Sequence, residues 1–369
     1  MFNPSLIVLQ PTAFCNINCT YCYLTNRDDR RLMSSEVLDA VCAKIMGRLD
    51  PNSTATLVWH AGEPTAAPIG WYEDAYPRLR SCTPPSVTFA MQSNGVAIDE
   101  RWIDLFRRTG TQVSISLDGP QRFHDARRLT RSGQPTWKLA LRGLKRLQEA
   151  GHTPSVITVL HPQGLDSDRE YYEFYRDNDI TDVSFSIDEK EGHNTRSSFD
   201  SVAYKPLIAA FIARIMRAAY RDQFPLHIRD VERIAHILTG QVSLANEQVE
   251  PWGSIVVAAD GRVSTYSPEF MEVIAPDYDN FVFGNVLDED LDDFANNPAF
   301  RRAAAEIEIG VAACKLQCRY FAVCGGGAPV NKYCESHLLS STETDFCRFS
   351  VQASADALRS FLSDKRLES

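Results

Sequence analysis

An α/β fold organised around a parallel sheet is predicted by three features of the sequence. Six short apolar runs between residues 5 and 190 alternate with segments of helical periodicity, the rhythm of βα units. Short motifs rich in glycine and polar residues stand at the C-terminal ends of those runs, where parallel α/β folds collect their ligand sites. After residue 250 the texture changes to a hairpin and a cysteine-rich stretch, which marks a second, smaller unit.

Residues 5–11 (SLIVLQP) form the first buried strand, and a loop with three cysteines follows at once. Residues 34–49 place Leu38, Val41, Ile45 and Leu49 on one helical face,. Residues 54–59 and 87–91 read as strands, and residues 103–106 sit in a short helix. Residues 112–117 are the fourth strand, 137–150 an amphipathic helix, 155–160 the fifth strand, 170–177 a helix and 182–187 the sixth strand. A long helix over 204–220 carries Leu207, Phe211, Ile215 and Ala219 at apolar positions. Residues 254–258 and 262–265 flank Asp260-Gly261, a strong hairpin signal,. The expected division is 1–195 for the parallel-sheet domain, 196–250 for a helical bridge, 251–350 for a small cysteine-bearing domain and 351–369 for a C-terminal helix.

The net charge of −10 argues against a broad basic face for nucleic acid,. No apolar run reaches the ~18 residues of a membrane span. Residues 1–10 lack a basic segment followed by an apolar core and cleavage site, so a cytoplasmic location is expected,. Ten cysteines are unevenly placed: three within 15–22, five within 314–347, and Cys42 and Cys82 apart. A cytosolic chain keeps thiols reduced, so such clusters point to metal sites before disulfides.

Cys15, Cys19 and Cys22, spaced C-x-x-x-C-x-x-C, can wrap one four-iron, four-sulfur cluster from a single loop and leave one iron open,. The plainer alternative is a zinc knuckle, but zinc usually takes a fourth ligand and paired C-x-x-C hooks. With Tyr21 beside the last cysteine, the loop resembles that of the radical S-adenosylmethionine (SAM) family. Gly62-Glu63-Pro64, within HAGEP, resembles the family's GGEP motif, with Ala61 in place of the first glycine. Gln92-Ser93-Asn94-Gly95 resembles QTNG. Ser116-Leu117-Asp118-Gly119-Pro120 ends the fourth strand, and His124-Asp125-Ala126-Arg127-Arg128 resembles an HD-x-x-R pattern.

The resemblance implies a partial (β/α)6 radical SAM barrel with the cysteine loop at its C-terminal mouth. It implies that the open iron chelates SAM, whose reductive cleavage yields a 5′-deoxyadenosyl radical. Gly62, Glu63, Pro64 and Asn94 would then lie at the cofactor, with the Glu63 backbone and side chain meeting the SAM ammonium. Ser116 and Arg128 would hold the SAM carboxylate.

Cys314-x3-Cys318-x5-Cys324, followed by Gly325-Gly326-Gly327, Cys334 and Cys347, resembles the SPASM extension of radical SAM enzymes that modify peptides. The pattern departs from that family. The first gap is one residue longer, Ala328 stands where a cysteine is usual, and no cysteine lies between Cys82 and Cys314. Tyr266-Ser267-Pro268-Glu269 occupies the place of the first upstream ligand. The resemblance therefore implies one auxiliary cluster, held by Cys314, Cys318, Cys324 and Cys347, with Cys334 a spare thiol. Two [4Fe-4S] clusters and SAM are the expected cofactors. A structural zinc site is the alternative for the second group.

QPTAFCNINCTYCYL at 10–24, FSIDEKEG at 185–192, SPEF at 267–270, YFAVCGGGAPVNK at 320–332 and TETDFCR at 342–348 together resemble the maturases of the GrrM and XyeB type. These form three-residue cyclophanes in ribosomal peptides by joining an aromatic ring carbon to the β-carbon of a residue two positions later. The resemblance implies a precursor peptide and an external electron donor of flavodoxin or ferredoxin type as partners, with no nucleic acid and no membrane. Ring closure needs a base, for which Glu269 is the candidate, ahead of Asp188, Glu189 and Glu191. Strand one begins by residue 5, so the precursor is expected to dock on the core, on the 200–250 insert or on the small domain, by strand addition to an open edge. The enzymatic alternative is a SPASM maturase that forms thioether links or formylglycine; a zinc-stabilised binding protein is the non-enzymatic one.

Overall fold

The computed structural model describes residues 4–52 and 54–368. Among them are twelve strands: β1 (Leu6–Leu9), β2 (Ile17–Cys19), β3 (Thr56–Trp59), β4 (Thr88–Ser93), β5 (Gln112–Ser116), β6 (Arg128–Thr130), β7 (Ser155–Val159), β8 (Asp182–Ser186), β9 (His227–Ile228), β10 (Ser254–Val257), β11 (Arg262–Thr265) and β12 (Gly284–Asn285). Ten form one sheet in the order β12-β11-β10-β1-β3-β4-β5-β7-β8-β9. All pairs from β10 to β9 are parallel. The six strands expected from the sequence are β1, β3, β4, β5, β7 and β8, in unbroken chain order across the sheet. The barrel stays open, with β9 and β12 at its two edges.

The hairpin around Asp260-Gly261 forms as β10 and β11, which pair antiparallel. Its position is informative: β10 lies parallel beside β1, in register from Leu6↔Ser254 to Leu9↔Val257, so the segment after residue 250 continues the main sheet. Ile255, Val256 and Val257 are fully buried. This pairing covers the edge of β1, which would otherwise expose unpaired backbone groups.

The helices follow the predicted periodicity. Ser35–Lys44 starts at Ser34, whose side chain accepts from Val37 N, and Glu100–Thr109 starts at Asp99, which accepts from Arg101 N and Trp102 N, both ordinary N-caps. Trp137–Glu149 and Asp168–Asp177 lie within a residue or two of expectation. In Tyr204–Arg221 the buried stripe runs through Ile208, Phe211, Ile212, Ile215 and Ala219, while Leu207 is exposed. Phe211, Ile215 and Ala219 thus lie on the predicted face, and Ile208 takes the place expected of Leu207. Helix Ala353–Glu368 packs along Tyr204–Arg221. Helix Ile69–Cys82, which carries Pro77 internally, is an addition to the sequence reading. Its rings Trp71, Tyr72 and Tyr76 meet Trp59 edge-on at centroid distances of 5.2–5.7 Å, a favoured aromatic geometry.

Cys42 and Cys82 are joined as a disulfide between the helices Ser35–Lys44 and Ile69–Cys82, with Cα atoms 5.6 Å apart. The other eight cysteines are free. Among the described residues no helix is long and apolar enough to cross a membrane.

Candidate active site

The cysteine loop leaves β1 and is fixed at both sides. Cys15 N donates to Arg27 O at 3.2 Å, and Arg131 Nη1 donates to Cys15 O at 2.9 Å. Within the loop β2 pairs antiparallel with β6, which sets Cys19 opposite Arg128. These two three-residue strands carry too little periodicity to be read from sequence. Cys15, Cys19 and Cys22 line one cavity of about 280 Å³ at the C-terminal ends of the parallel strands. Burial pushes the Cys15 thiol up to about 12 and Cys19 to about 11, and raises Cys22 as well. Among the described residues, no three His, Cys, Asp or Glu side chains converge as a single metal ion requires. Three thiols that line one cavity suit a multi-iron cluster, which Cys15, Cys19 and Cys22 would hold,.

The HAGEP segment docks this loop. Ala61 and Gly62 both have positive φ, at 62° and 49°. A Cβ on Gly62 would lie 2.5 Å from Phe14 O and 2.6 Å from Ala13 O. Only glycine allows that approach, and Glu63 N completes it by donating to Phe14 O at 2.8 Å,. The Glu63 carboxylate, 1% exposed, accepts four hydrogen bonds: Thr65 N at 2.9 Å, Thr65 Oγ1 at 2.6 Å and Ser93 Oγ at 2.8 Å on Oε1, and Asn94 N at 2.6 Å on Oε2. Three of these bonds fall on Oε1 and one on Oε2, which leaves Oε2 able to accept a further donor,. Its side chain thus ties the end of β3 to the end of β4 while it lines the cavity where the SAM ammonium is expected. Burial still raises its pKa. Ala61, Gly62 and Glu63 line the cavity, whereas Pro64 lies behind it, opening a short turn and accepting from Tyr72 Oη at 2.9 Å.

Asn94 lines the cavity and reaches back to the loop, donating from Nδ2 to Asn16 Oδ1 at 2.7 Å, with Cys15 Sγ 4.0 Å away. Ser116 also lines it and accepts from Gln92 Nε2 at 2.8 Å. Arg128 lines the same wall. Its Nε lies 3.1 Å from Asp118 Oδ1 and its Nη1 3.8 Å from Cys19 Sγ. Asp118 is fully buried and also meets Arg127 Nη2 at 3.3 Å and Tyr21 Oη at 2.7 Å. Arg127 is otherwise engaged by the carbonyls of Val159 and Leu160. Asp118 is thus the hub that orients Arg128, a role visible in the sequence only as part of the SLDGP motif.

A second group of side chains faces the cysteines across the cavity. Glu269, Asp188, Glu189, Glu191 and His60 all line it. Glu269 arrives on the turn after β11, where Tyr266 takes a φ of 71°, and accepts from Ser267 Oγ. Asp188 accepts from Ser198 N and Ser198 Oγ at 2.9 and 2.6 Å, so it organises its own loop. Glu189 and Glu191 lie beside each other, each among the causes of the other's pKa shift. Both accept from Asn331 Nδ2, at 2.5 and 2.8 Å. Burial raises Glu189 to about 7 and, with the Glu189 charge second, raises Glu191 further. Burial lowers His60. His60 and Asn331 were missed in the sequence, although His60 stands two residues before Gly62 in HAGEP.

The distal cysteines gather as expected. Cys314, Cys318, Cys324 and Cys347 line a separate cavity of about 580 Å³. Cys314 lies in helix Pro298–Gln317, Cys318 caps it, Cys324 ends the turn Phe321–Cys324, and Cys347 starts a π-helical segment. Cys334, on helix Pro329–Ser336, lies apart from them, with the Gly192 backbone and Glu189 among its neighbours; burial raises it to about 11.

The sequence profile of the radical SAM superfamily matches residues 9–177. The uncharacterized protein sll1766 of Synechocystis sp. is 33% identical over 365 residues, which is 97% of this chain and 92% of that protein. The cysteine-type anaerobic sulfatase-maturating enzyme of Clostridium perfringens is 21% identical over 360 residues, 90% of this chain and 94% of the enzyme. The serine-type enzyme of Bacteroides thetaiotaomicron is 27% identical over 197 residues, so the chain spans about half of its length, 46%, and half of this chain is matched. Among solved structures, native anSMEcpe with bound AdoMet superimposes with a TM-score of 0.74 at 18% identity, over 99% of this chain and 98% of that one. Streptococcus suis SuiB bound to precursor peptide SuiA gives 0.67 at 15% identity, over 94% and 76%. At these identities the structural likeness is one of fold, and it extends through the distal cysteines. The cysteine loop, the motifs that pack around it and these relationships agree: the chain is an enzyme of the radical SAM superfamily.

Proposed function

We propose that this enzyme matures a ribosomally made precursor peptide by joining an aromatic ring carbon to the β-carbon of a nearby residue, closing a cyclophane. The observation that carries this reading is the shared cavity: the three cluster cysteines and the carboxylates Glu269, Glu189 and Glu191 line one space. The cluster and SAM, when bound, supply hydrogen-atom abstraction. The chain's own residues do the rest. The backbone of Ala61 and Gly62, with Asn94, Ser116 and Arg128, borders the space where SAM would sit; an arginine suits a carboxylate through two parallel hydrogen bonds. Glu269, or the Glu189–Glu191 pair behind it, takes the ring proton after the carbon–carbon bond forms. Cys314, Cys318, Cys324 and Cys347 would hold an auxiliary [4Fe-4S] cluster, which would supply an acceptor for the remaining electron, and a flavodoxin- or ferredoxin-type protein would supply the first. Tyr266-Ser267-Pro268-Glu269 stands where the resemblance places the first missing upstream ligand, and next to it Phe270, Phe281 and Tyr278 pack ring on ring, with centroids 4.0 and 5.2 Å apart. This favours one auxiliary cluster over two.

A peptide substrate is supported by relatives that carry one: anSMEcpe with the Cp18Cys peptide and SuiB with SuiA. The Clostridium perfringens relative favours a second reading, oxidation of a Cys or Ser to formylglycine, because its match runs along nearly the whole chain. A thioether link is the third product open to the same fold.

Co-expression with a short precursor encoded beside the gene, followed by mass spectrometry, tests the proposal. A cyclophane removes two hydrogens, leaves every thiol open to iodoacetamide and gives fragments locked between an aromatic residue and the residue two positions on. A hydrazide-reactive aldehyde would overturn it in favour of formylglycine, and a lost thiol in favour of a thioether.

A further inference from the structure

We propose that Lys332 is the built-in counter-charge of the auxiliary cluster and favours its one-electron reduction. The inference rests on the reading of Cys314, Cys318, Cys324 and Cys347 as cluster ligands.

Lys332 is 1% exposed, a rare state for a lysine. Among the described residues it forms no ion pair with a carboxylate, and the hydrogen-bond partner of its Nζ is Cys314 Sγ at 3.7 Å. Its slot runs beside two glycines. Gly310 precedes Cys314 by about one turn of helix Pro298–Gln317, and a Cβ there would lie 2.7 Å from Leu339 O and 3.0 Å from Lys332 Nζ. A Cβ on Gly327 would lie 3.5 Å from Lys332 Cε and 3.4 Å from Cys347 Sγ. The ammonium therefore passes between two bare backbone positions to reach the sulfurs.

A buried ammonium needs an opposite charge, and the sulfur group is what this one meets. A cubane with four thiolates is a net anion, and reduction adds one more negative charge. A fixed cation beside it stabilises the reduced form more than the oxidised form. The step this serves is the loss of one electron from the peptide radical left after ring addition. That electron passes to the cluster and the ring proton to a carboxylate of the first cavity. The peptide thereby loses two hydrogens in all, the other having left as a hydrogen atom. Lys332 acts through the cluster and is a positioning residue in the electrostatic sense.

The test uses the full-length, anaerobically reconstituted enzyme and its Lys332→Met and Lys332→Arg variants. Iron content, the potential of each cluster by EPR-monitored potentiometry, 5′-deoxyadenosine and cross-linked peptide are measured. Lys332→Met should keep both clusters, shift the auxiliary potential to more negative values, leave 5′-deoxyadenosine formation unchanged and lower the product formed per 5′-deoxyadenosine. Lys332→Arg should restore the potential. An unchanged auxiliary potential in a fully loaded Met variant overturns the proposal. If the Met variant loses auxiliary iron, the Arg variant decides. Retained iron at a near wild-type potential supports the charge, and loss in both means that the side chain only fills the slot. Wild-type protein with one cluster and no second EPR species would instead overturn the auxiliary-cluster reading itself, before any variant is compared.

Discussion

Arg128 stands opposite Cys19 in the β2–β6 ribbon, with Nη1 3.8 Å from the cysteine sulfur and Nε 3.1 Å from the buried Asp118. Burial by itself would raise Asp118, but Arg128 and then Arg127 overcome it and hold the carboxyl below its usual range. A depressed folded value means that the pair's contribution is present above the unfolded carboxyl pKa and is lost as pH falls through the folded one. Arg128→Ala leaves Asp118 with Arg127 and Tyr21. Breaking a buried pair costs roughly 3–5 kcal/mol, and the remaining partners put this variant at the lower end. Urea unfolding should show that loss, and equilibrium dialysis should show weaker SAM binding. Unchanged SAM affinity would move the carboxylate contact to Ser116, since Arg127 is committed to Asp118 and two carbonyls.

Gly62→Ala should detach the cysteine loop. The added Cβ meets the Phe14 and Ala13 carbonyls at 2.5 and 2.6 Å, and φ is 49°. Backbone cannot yield as a flexible side chain would, so a cost above ~1 kcal/mol is expected. The readout is iron retained after reconstitution together with thermal stability. A variant that loads like wild type would show that the loop is anchored elsewhere.

The parallel sheet was legible because six apolar runs, alternating with helical segments, each carry enough residues to show a period. The β2–β6 ribbon was not, since Ile17–Cys19 and Arg128–Thr130 are three residues each and are fixed by the contact of Arg128 with Asp118 and Cys19. The pairing of β10 with β1 is a long-range choice of edge, which local pattern does not encode. The two cysteine groups were legible from spacing, and the fold adds that each lines one cavity. The role of Glu63 was not: a motif says that a carboxylate is present, while its four donors from Thr65, Ser93 and Asn94 come from two strand ends that only the fold brings together. The same holds for Asn331, which reaches Glu189 and Glu191 from about 140 residues away.

Iron analysis of the reconstituted protein should give about eight irons per chain, four for each cysteine group. Changing Cys15, Cys19 and Cys22 to Ala should remove about half and abolish SAM cleavage, on the same count. About twelve irons would mean that a further cluster finds ligands despite the rings of Phe270, Tyr278 and Phe281.

Stability should carry the imprint of Glu189. Its folded value lies near 7 against 4.5 in the unfolded chain, raised by burial and by the neighbouring Glu269 charge, with Asn331 opposing. A raised folded value contributes stability below the unfolded pKa, and that contribution is lost as pH rises through the folded one. Glu189→Gln removes the ionisation. Anaerobic urea midpoints measured between about pH 5 and 8 should therefore favour the variant increasingly as pH rises. A constant difference across that range would place the proton elsewhere in the Glu189–Glu191 pair.

Glu269 is the carboxylate most directly tested as the base. It lines the cavity with the cluster cysteines, on the turn that follows β11. Glu269→Gln keeps the size of the side chain and its contact with Ser267 but removes the basic oxygen. The proton is lost only after the carbon–carbon bond has formed, so hydrogen abstraction and SAM cleavage precede it. The variant should therefore still release 5′-deoxyadenosine while cross-linked peptide slows by ~10²–10⁴, the usual contribution of a positioned base. Cys318→Ala should give the same uncoupling by removing the electron acceptor, provided that circular dichroism shows the fold intact. The two variants then differ in one respect: raising the pH, which supplies external base, should partly rescue Glu269→Gln and leave Cys318→Ala unchanged. Full cross-linking by Glu269→Gln would eliminate it as the base and pass the role to Glu189 or Glu191, whose carboxyls line the same cavity. Asp188 would remain outside the choice, because Ser197 and Ser198 already hold its oxygens.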